Sequence, residues 1–492
     1  MKNNKVLIYI LTFILVVIVG VGIYFYFSEN KDSKLLNLDK FESSQVSVID
    51  EDESINWSKY QNKELQLNDE NVTITTGGVY TLSGKISNGS VTINTEENVK
   101  LILNNVTITN NSGPAIIVEN AKNTVIEMAD NSVNTLTDGK TYTNAEYDGC
   151  IYSKDDLIIQ GNGKLVVNAN YQDGIVSKDD LKIVSGVYQI NAKDDGIRGK
   201  DSVYIVDGTY TIESGGDGIK STNDTDTNKG NIKIDNGTFK IVVTNDGVQA
   251  ENKFIIENGT FDITTGGGST ETVNKQFNTK NTTSNESAKG LKTGSSLIIY
   301  NGTFTISSLD DGIHSNGDLV INNGKFIVKS SDDGIHADGL TQINDGTFEI
   351  TASEGIEATY VKINDGDITI NASDDGINAG KKSSDYTPTI EINGGNLTIK
   401  MGAGDTDGID SNGNLYINGG TINITANSPF DYDGETKYTG GKMIVNGEET
   451  TTITNQMMGG GMMNGGNRQG GMPQDGDMNN QGRMGKGGMN RR

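Results

Sequence analysis

From about residue 71 the chain alternates apolar and polar positions in short runs, and glycine-bearing turns cut the runs at regular intervals. After Gly334 the order is Ile335-His336-Ala337, a turn at Asp338-Gly339, then Leu340 to Asn344 and a turn at Asp345-Gly346. Phe348-Glu349-Ile350-Thr351-Ala352 follows, then a corner at Glu354-Gly355. Alternation in runs this short predicts strands with one buried face, three to a unit. No segment after residue 27 carries a helical stripe.

The unit repeats. Acid-Gly or Lys-Gly pairs place glycines at 149, 174, 196, 218, 247, 290, 312, 334, 355, 376 and 408, mostly 21 or 22 residues apart. A second phrase recurs once per period, as in Asn236-Gly237-Thr238-Phe239 and Asn301-Gly302-Thr303-Phe304. A fixed period of this length marks a solenoid. The leucine framework of a leucine-rich repeat is missing, so the expected fold is an all-β parallel β-helix with three-strand coils. Equivalent residues then form columns roughly 4.8 Å apart per coil. Tyr188, Tyr210, Phe239, Phe261, Phe304, Phe326 and Phe348 make one such column, with Ile190, Ile212, Ile241, Ile263, Ile306, Val328 and Ile350 beside it. Both read as core, and a sugar-stacking platform is the alternative for the aromatic one.

Four regions follow from these patterns. Val6 to Phe27 is a 22-residue apolar run after Lys2 and Lys5, long enough to cross a bilayer. Residues 1–27 therefore read as an N-terminal transmembrane helix with the body outside the cell, or as a cleaved signal segment that would leave the body secreted. Residues 28–70 read as an acidic stalk, 71–455 as the β-helix, and 456–492, with eight of the twelve methionines, as a disordered Gly/Met tail. Three long intervals place surface insertions at 221–230, about 266–287 and about 381–388. Cys150, the sole cysteine, reads as a small buried residue.

Charge narrows the partners. The chain carries a formal -25; its ends contribute +2 and +3, which leaves -30 on residues 28–455. A nucleic-acid partner is disfavoured, because a binder offers phosphates a basic face. Asp-Gly pairs are ordinary turn chemistry, but the doubled acids Asp194-Asp195, Asp310-Asp311, Asp332-Asp333 and Asp374-Asp375 exceed what a turn requires. Stacked carboxylates roughly 5 Å apart repel by about 0.8 kcal/mol per pair in water. Calcium, with six to eight oxygen ligands, is the expected neutraliser, against solvated turn residues as the alternative. Its candidate ligands are Asp173, Asp194, Asp195, Asp217, Asp310, Asp311, Asp332, Asp333, Glu354, Asp374 and Asp375. His314 and His336, one coil apart, read as solubilising residues rather than zinc ligands. Lys289 replaces the acid before Gly290; it reads as an internal counter-ion, or as the proton-abstracting base of a polysaccharide lyase.

Several motifs match a known family: Gly78-Val79-Tyr80-Thr81-Leu82-Ser83-Gly84, Asp195-Gly196-Ile197-Arg198-Gly199-Lys200-Asp201, Gly216-Asp217-Gly218-Ile219-Lys220-Ser221-Thr222-Asn223-Asp224 and Asp431-Tyr432-Asp433-Gly434. From Val72 to about Gly434 the chain resembles the calcium-binding, carbohydrate-binding β-helix proteins of clostridial surfaces. The resemblance implies a right-handed parallel β-helix similar to that of pectate lyases, several calcium ions, and cellulose and polygalacturonate as ligands without established catalysis. The expected function is calcium-dependent binding of acidic polysaccharide. A lyase using Lys289 and a passive cell-surface spacer or adhesin are the alternatives.

Overall fold

Strands recur in threes. Asp173–Ser177, Asp180–Ile183 and Val187–Ala192 form one rung, and each pairs in parallel with its counterpart in the next: Ile197–Gly199, Ser202–Ile205 and Thr209–Ser214. The same step carries on through Ile313–Ser315, Asp318–Ile321 and Lys325–Ser330 and beyond. The computed structural model describes residues 55–270, 287–403 and 406–455, an all-β body of parallel strands in three columns, consistent with a β-helix. Below, the first sheet holds Ile313–Ser315, the second Asp318–Ile321 and the third Lys325–Ser330. The Val6–Phe27 run, most of the expected stalk, residues 271–286 and the Gly/Met tail lie outside the described residues. Among the described residues no helix is long and apolar enough to cross a membrane.

The period-two alternation decides which side chains face inward. In the third sheet the seven aromatic residues from Tyr188 to Phe348 are buried, with ring centroids 4.6 to 4.9 Å apart and planes within 5°. Each ring meets its neighbour at the rung spacing, so the column is core and offers no face to a sugar. The two tyrosines satisfy their hydroxyls on the backbone: Tyr188 donates to the Ser185 carbonyl at 2.6 Å and Tyr210 to that of Asp207 at 2.9 Å. Cys150 is buried, and burial pushes its thiol well above the usual range.

Glycine serves two purposes at the corners. In the Asn-Gly-Thr-Phe phrase Gly237, Gly259 and Gly302 have φ of 141°, 141° and 142°, where a side chain would be strained. The glycines of the acid corner, from Gly149 to Gly408, do not take such angles, contrary to the turn chemistry read from the sequence. They are needed for proximity: a Cβ on Gly312 would stand 2.3 Å from Val328 Cγ1 and 2.6 Å from the Gly334 carbonyl. This corner presses the first sheet against the inward side chains of the third.

Asn62–Asn68 pairs in parallel with Gly78–Ile86 and buries Leu67, so strand pairing begins inside the stretch read as stalk. Trp57 packs against Val125 and Ile158 on the outer side. At the far end Glu448–Thr450 folds antiparallel onto Lys442–Val445, which occupies an otherwise open edge.

Candidate functional site

The acids before glycine share one corner, between the third sheet and the first. Each reaches along the column to the next rung: Asp173 Oδ1 accepts from the Asp195 backbone N–H at 3.0 Å, Asp195 from Asp217 at 2.8 Å, and Asp217 from Asp246 at 2.8 Å. Asp246 accepts from Lys289 at 2.7 Å, Asp311 from Asp333 at 3.1 Å, and Asp375 from Asp407 at 3.2 Å. The buried acid beside the glycine is thus the structural residue, because it satisfies a backbone donor of the adjacent rung. The extra acid lies outside it: Asp194 is exposed, and Asp310, Asp332 and Asp374 are half-buried.

Side-chain cations meet the second oxygen along much of the column. Arg198 Nε lies 2.8 Å from Asp173 Oδ2, and its Nη2 lies 2.5 Å from Asp148 Oδ2. Lys220 stands 2.6 Å from Asp217 and 3.7 Å from Asp195, and Lys292 stands 2.9 Å from Asp246. Lys289 is held between Asp310 at 2.7 Å and Asp311 at 2.8 Å. Burial opposes the charge on Lys289, yet the two carboxylates hold its ammonium well above the usual range. A lysine so held is a counter-ion and offers no free base. His314 and His336 occupy the same place on the next two rungs, their rings stacked 4.6 Å apart. Their Nδ1 atoms lie 2.7 Å from Asp311 and Asp333. They are embedded in the acid column, which corrects their reading as solubilising surface residues.

The pattern then reverses. The outward residue of the first sheet, which is Arg198, Lys220, Gln249, Lys292, His314 and His336 in earlier rungs, becomes Glu357, Asn378, Asp410 and Asp431. Among the described residues no ion pair joins Asp374, Asp375 or Asp410 to a cation. Burial, then the charges of Glu354, Asp410 and Asp374, push Asp375 up to about 8. Burial, then Asp407, Asp431 and Asp433, push Asp410 up to about 6. Glu354 is likewise raised, by burial first and Glu357 next, while Asn378 donates to it at 2.9 Å. The Oδ1 atom of Asn378 is buried and accepts no hydrogen bond. The donors of this segment are all oxygens, the type a hard cation such as calcium takes, although its acids do not converge within 4.8 Å as Asp173, Asp194 and Asp195 do.

The eleven expected ligands therefore fall into two groups. Asp173, Asp195, Asp217, Asp310 and Asp311 have side-chain cations beside them, and Asp333 has His336; Glu354, Asp374 and Asp375 belong to the reversed segment. Asp194 lies close to Asp173 and Asp195, and Asp332 close to Asp310 and Asp311. Sequence reasoning placed Lys289 as a counter-ion, as found, but missed Arg198, Lys220, Lys292 and Asp410. Their signal is the second residue after the corner glycine, as in Asp-Gly-Ile-x, whose charge changes sign along the chain. Elsewhere beside this corner an open furrow of about 900 Å³ is lined by Lys140, Asn168, Asn170, Asn191 and Lys193 among others, several rungs from Asp375.

A curated relative from Acetivibrio thermocellus, described as a carbohydrate-binding domain-containing protein, is 39% identical over 98 residues. The match covers 18% of this chain and 34% of the relative, so the chain spans about a third of that protein's length. A solved structure described as a polysaccharide lyase-like protein from C. thermocellum, in a gadolinium derivative, is 33% identical; the match covers 42% of this chain and 91% of that one at a TM-score of 0.40. The family model described as carbohydrate-binding domain-containing protein matches residues 68–334 and 332–460, well over half of the sequence. The chain belongs to this carbohydrate-binding domain family.

Proposed function

We propose that this chain is a calcium-dependent binder of acidic polysaccharide such as polygalacturonate, and of cellulose. On this reading it is a right-handed parallel β-helix carried outside the cell on the Val6–Phe27 anchor. One observation carries the proposal: the acid column exchanges its side-chain cations for Glu357, Asn378, Asp410 and Asp431 in its last rungs. Asp375 and Asp410 lie among like charges there, and buried like charges call for a counter-ion. Glu354, Asp374, Asp375 and Asp410 would hold calcium, with Asn378 Oδ1 as a neutral donor. Bound calcium supplies positive charge that a uronate carboxylate can share, which lets a strongly acidic body hold an anionic polymer. A lyase reading lacks a base at Lys289, since Asp310 and Asp311 hold that ammonium.

Co-sedimentation with polygalacturonate tests the reading. The expected result is retention in calcium, release by chelator, and no new absorbance from unsaturated chain ends. The double variant Asp375→Asn, Asp410→Asn should weaken retention at least tenfold. Retention that ignores chelator would overturn calcium dependence, and unsaturated ends would make the protein a lyase.

A further inference from the structure

The chain has two histidines, and both stand where other rungs carry arginine or lysine. A lysine in that place can only neutralise, whereas an imidazole nitrogen can also coordinate. At His336 the surroundings favour coordination. Its Nδ1 faces Asp333 Oδ2 at 2.7 Å and Glu357 Oε2 at 2.9 Å, with all three side chains about nine-tenths buried. Its Nε2 faces Asp338 Oδ1 at 3.3 Å. With Asp338 accepting the Nε2 proton, the Nδ1 lone pair and two carboxylate oxygens converge on one point. Three acceptors cannot share that point unless a proton or a metal ion occupies it.

We propose that Asp333 Oδ2, Glu357 Oε2 and His336 Nδ1 form a site for a borderline divalent transition cation such as zinc, distinct from the all-oxygen acidic rungs. Three protein donors leave a fourth tetrahedral place for water, and donor-to-metal distances of roughly 2.0 to 2.2 Å need only small adjustments from the present separations. Imidazole selects such metals over calcium, which prefers six to eight oxygens. Outer contacts aim the donors. Asp338 orients the ring through Nε2, an arrangement that metal-bound histidines commonly show. Lys382, 2.8 Å from Glu357 Oε1, leaves Oε2 directed inward. Binding replaces the Nδ1 proton, which leaves to solvent, and the ion joins two successive rungs in the manner of a clip.

Cobalt is the probe. The full chain is stripped of metal, returned to buffer with calcium in large excess, and titrated with Co²⁺ while the visible d–d absorption is followed. One Co²⁺ per chain, displaced by Zn²⁺, is expected. His336→Gln should abolish the signal while far-UV circular dichroism is retained. Asp338→Asn keeps all three donors and should weaken binding about 10- to 100-fold. Asp375→Asn, in the all-oxygen rungs, should leave the Co²⁺ titration unchanged whatever it does to polysaccharide retention. The absence of stoichiometric Co²⁺, or binding that survives both His336→Gln and Asp338→Asn, overturns the site.

Discussion

At the scale of single residues, the Asp-Gly corner combines a hydrogen-bond requirement with a steric one. The aspartate takes the next rung's amide, and the glycine makes room for the inward side chain of the third sheet and the following glycine carbonyl. Gly312→Ala places a methyl group against Val328 and backbone, neither of which can retreat. Overpacking of this kind costs about 1–3 kcal/mol, read as a lower midpoint in equilibrium urea unfolding with an unchanged slope. A second residue reports through pH. Burial, then Asp201 and Asp156, push Asp179 up to about 7. The folded chain therefore holds a proton there that the unfolded chain releases above the ordinary 3.8. Stability from this group is full below 3.8 and is lost as pH rises through about 7. Thermal unfolding in chelator should show Asp179→Asn with a shallower fall in Tm between pH 4 and pH 8 than the parent. Identical slopes would remove Asp179 from the account.

At the scale of elements, the aromatic column tests how much a continuous ladder adds to individual packing. Phe304 lies between Phe261 and Phe326 at centroid distances of 4.8 and 4.7 Å. Phe304→Ala should cost about 3–5 kcal/mol, whereas Phe304→Leu, which fills much of the volume, should cost clearly less by the same unfolding measurement. Equal losses would show that ring stacking, and not filled volume, holds the column. This column was legible in the sequence because strand period and repeat period together determine both the face and the neighbour of every aromatic. The Asn-Gly-Thr-Phe turn was legible for the same local reason: only glycine adopts its positive φ easily. The cation column was harder to see. Arg198 and Lys220 follow an inward isoleucine and Lys292 an inward leucine in three-residue strands, too short for alternation to show which way a side chain points. Without that direction, a charge after the inward residue looks like any solvated side chain, and the doubled acids seem to need metal everywhere.

At the scale of the whole molecule, each rung bonds mainly to its two neighbours, so stability should approximate a sum over rungs and their interfaces. Removing residues 303–324 tests this. Lys325 pairs in register with Thr303, so the deletion joins Asn301-Gly302 directly to Lys325-Phe326 and recreates the Asn-Gly-Lys-Phe turn. Phe326 then stacks on Phe261, and Asp332 and Asp333 come beside Lys289 where Asp310 and Asp311 had been. The acid column keeps its cation, the aromatic column keeps its spacing, and no surface insertion is cut. The shortened chain should fold with the same far-UV circular dichroism per residue and a single unfolding transition. Its Tm should fall by about 1 °C for each kcal/mol of interface lost, because the unfolding entropy of so long a body is large. Deleting 22 residues from a different cut, 310–331, also leaves the strands in register. It joins Leu309 to Asp332 and keeps residues 303–309 where the first deletion keeps 325–331, so if rungs contribute additively both deletions should unfold together within a few degrees. A large gap between them would mean that Lys325 or Lys329, retained by only the first deletion, contributes beyond its rung, and the additive picture would fail.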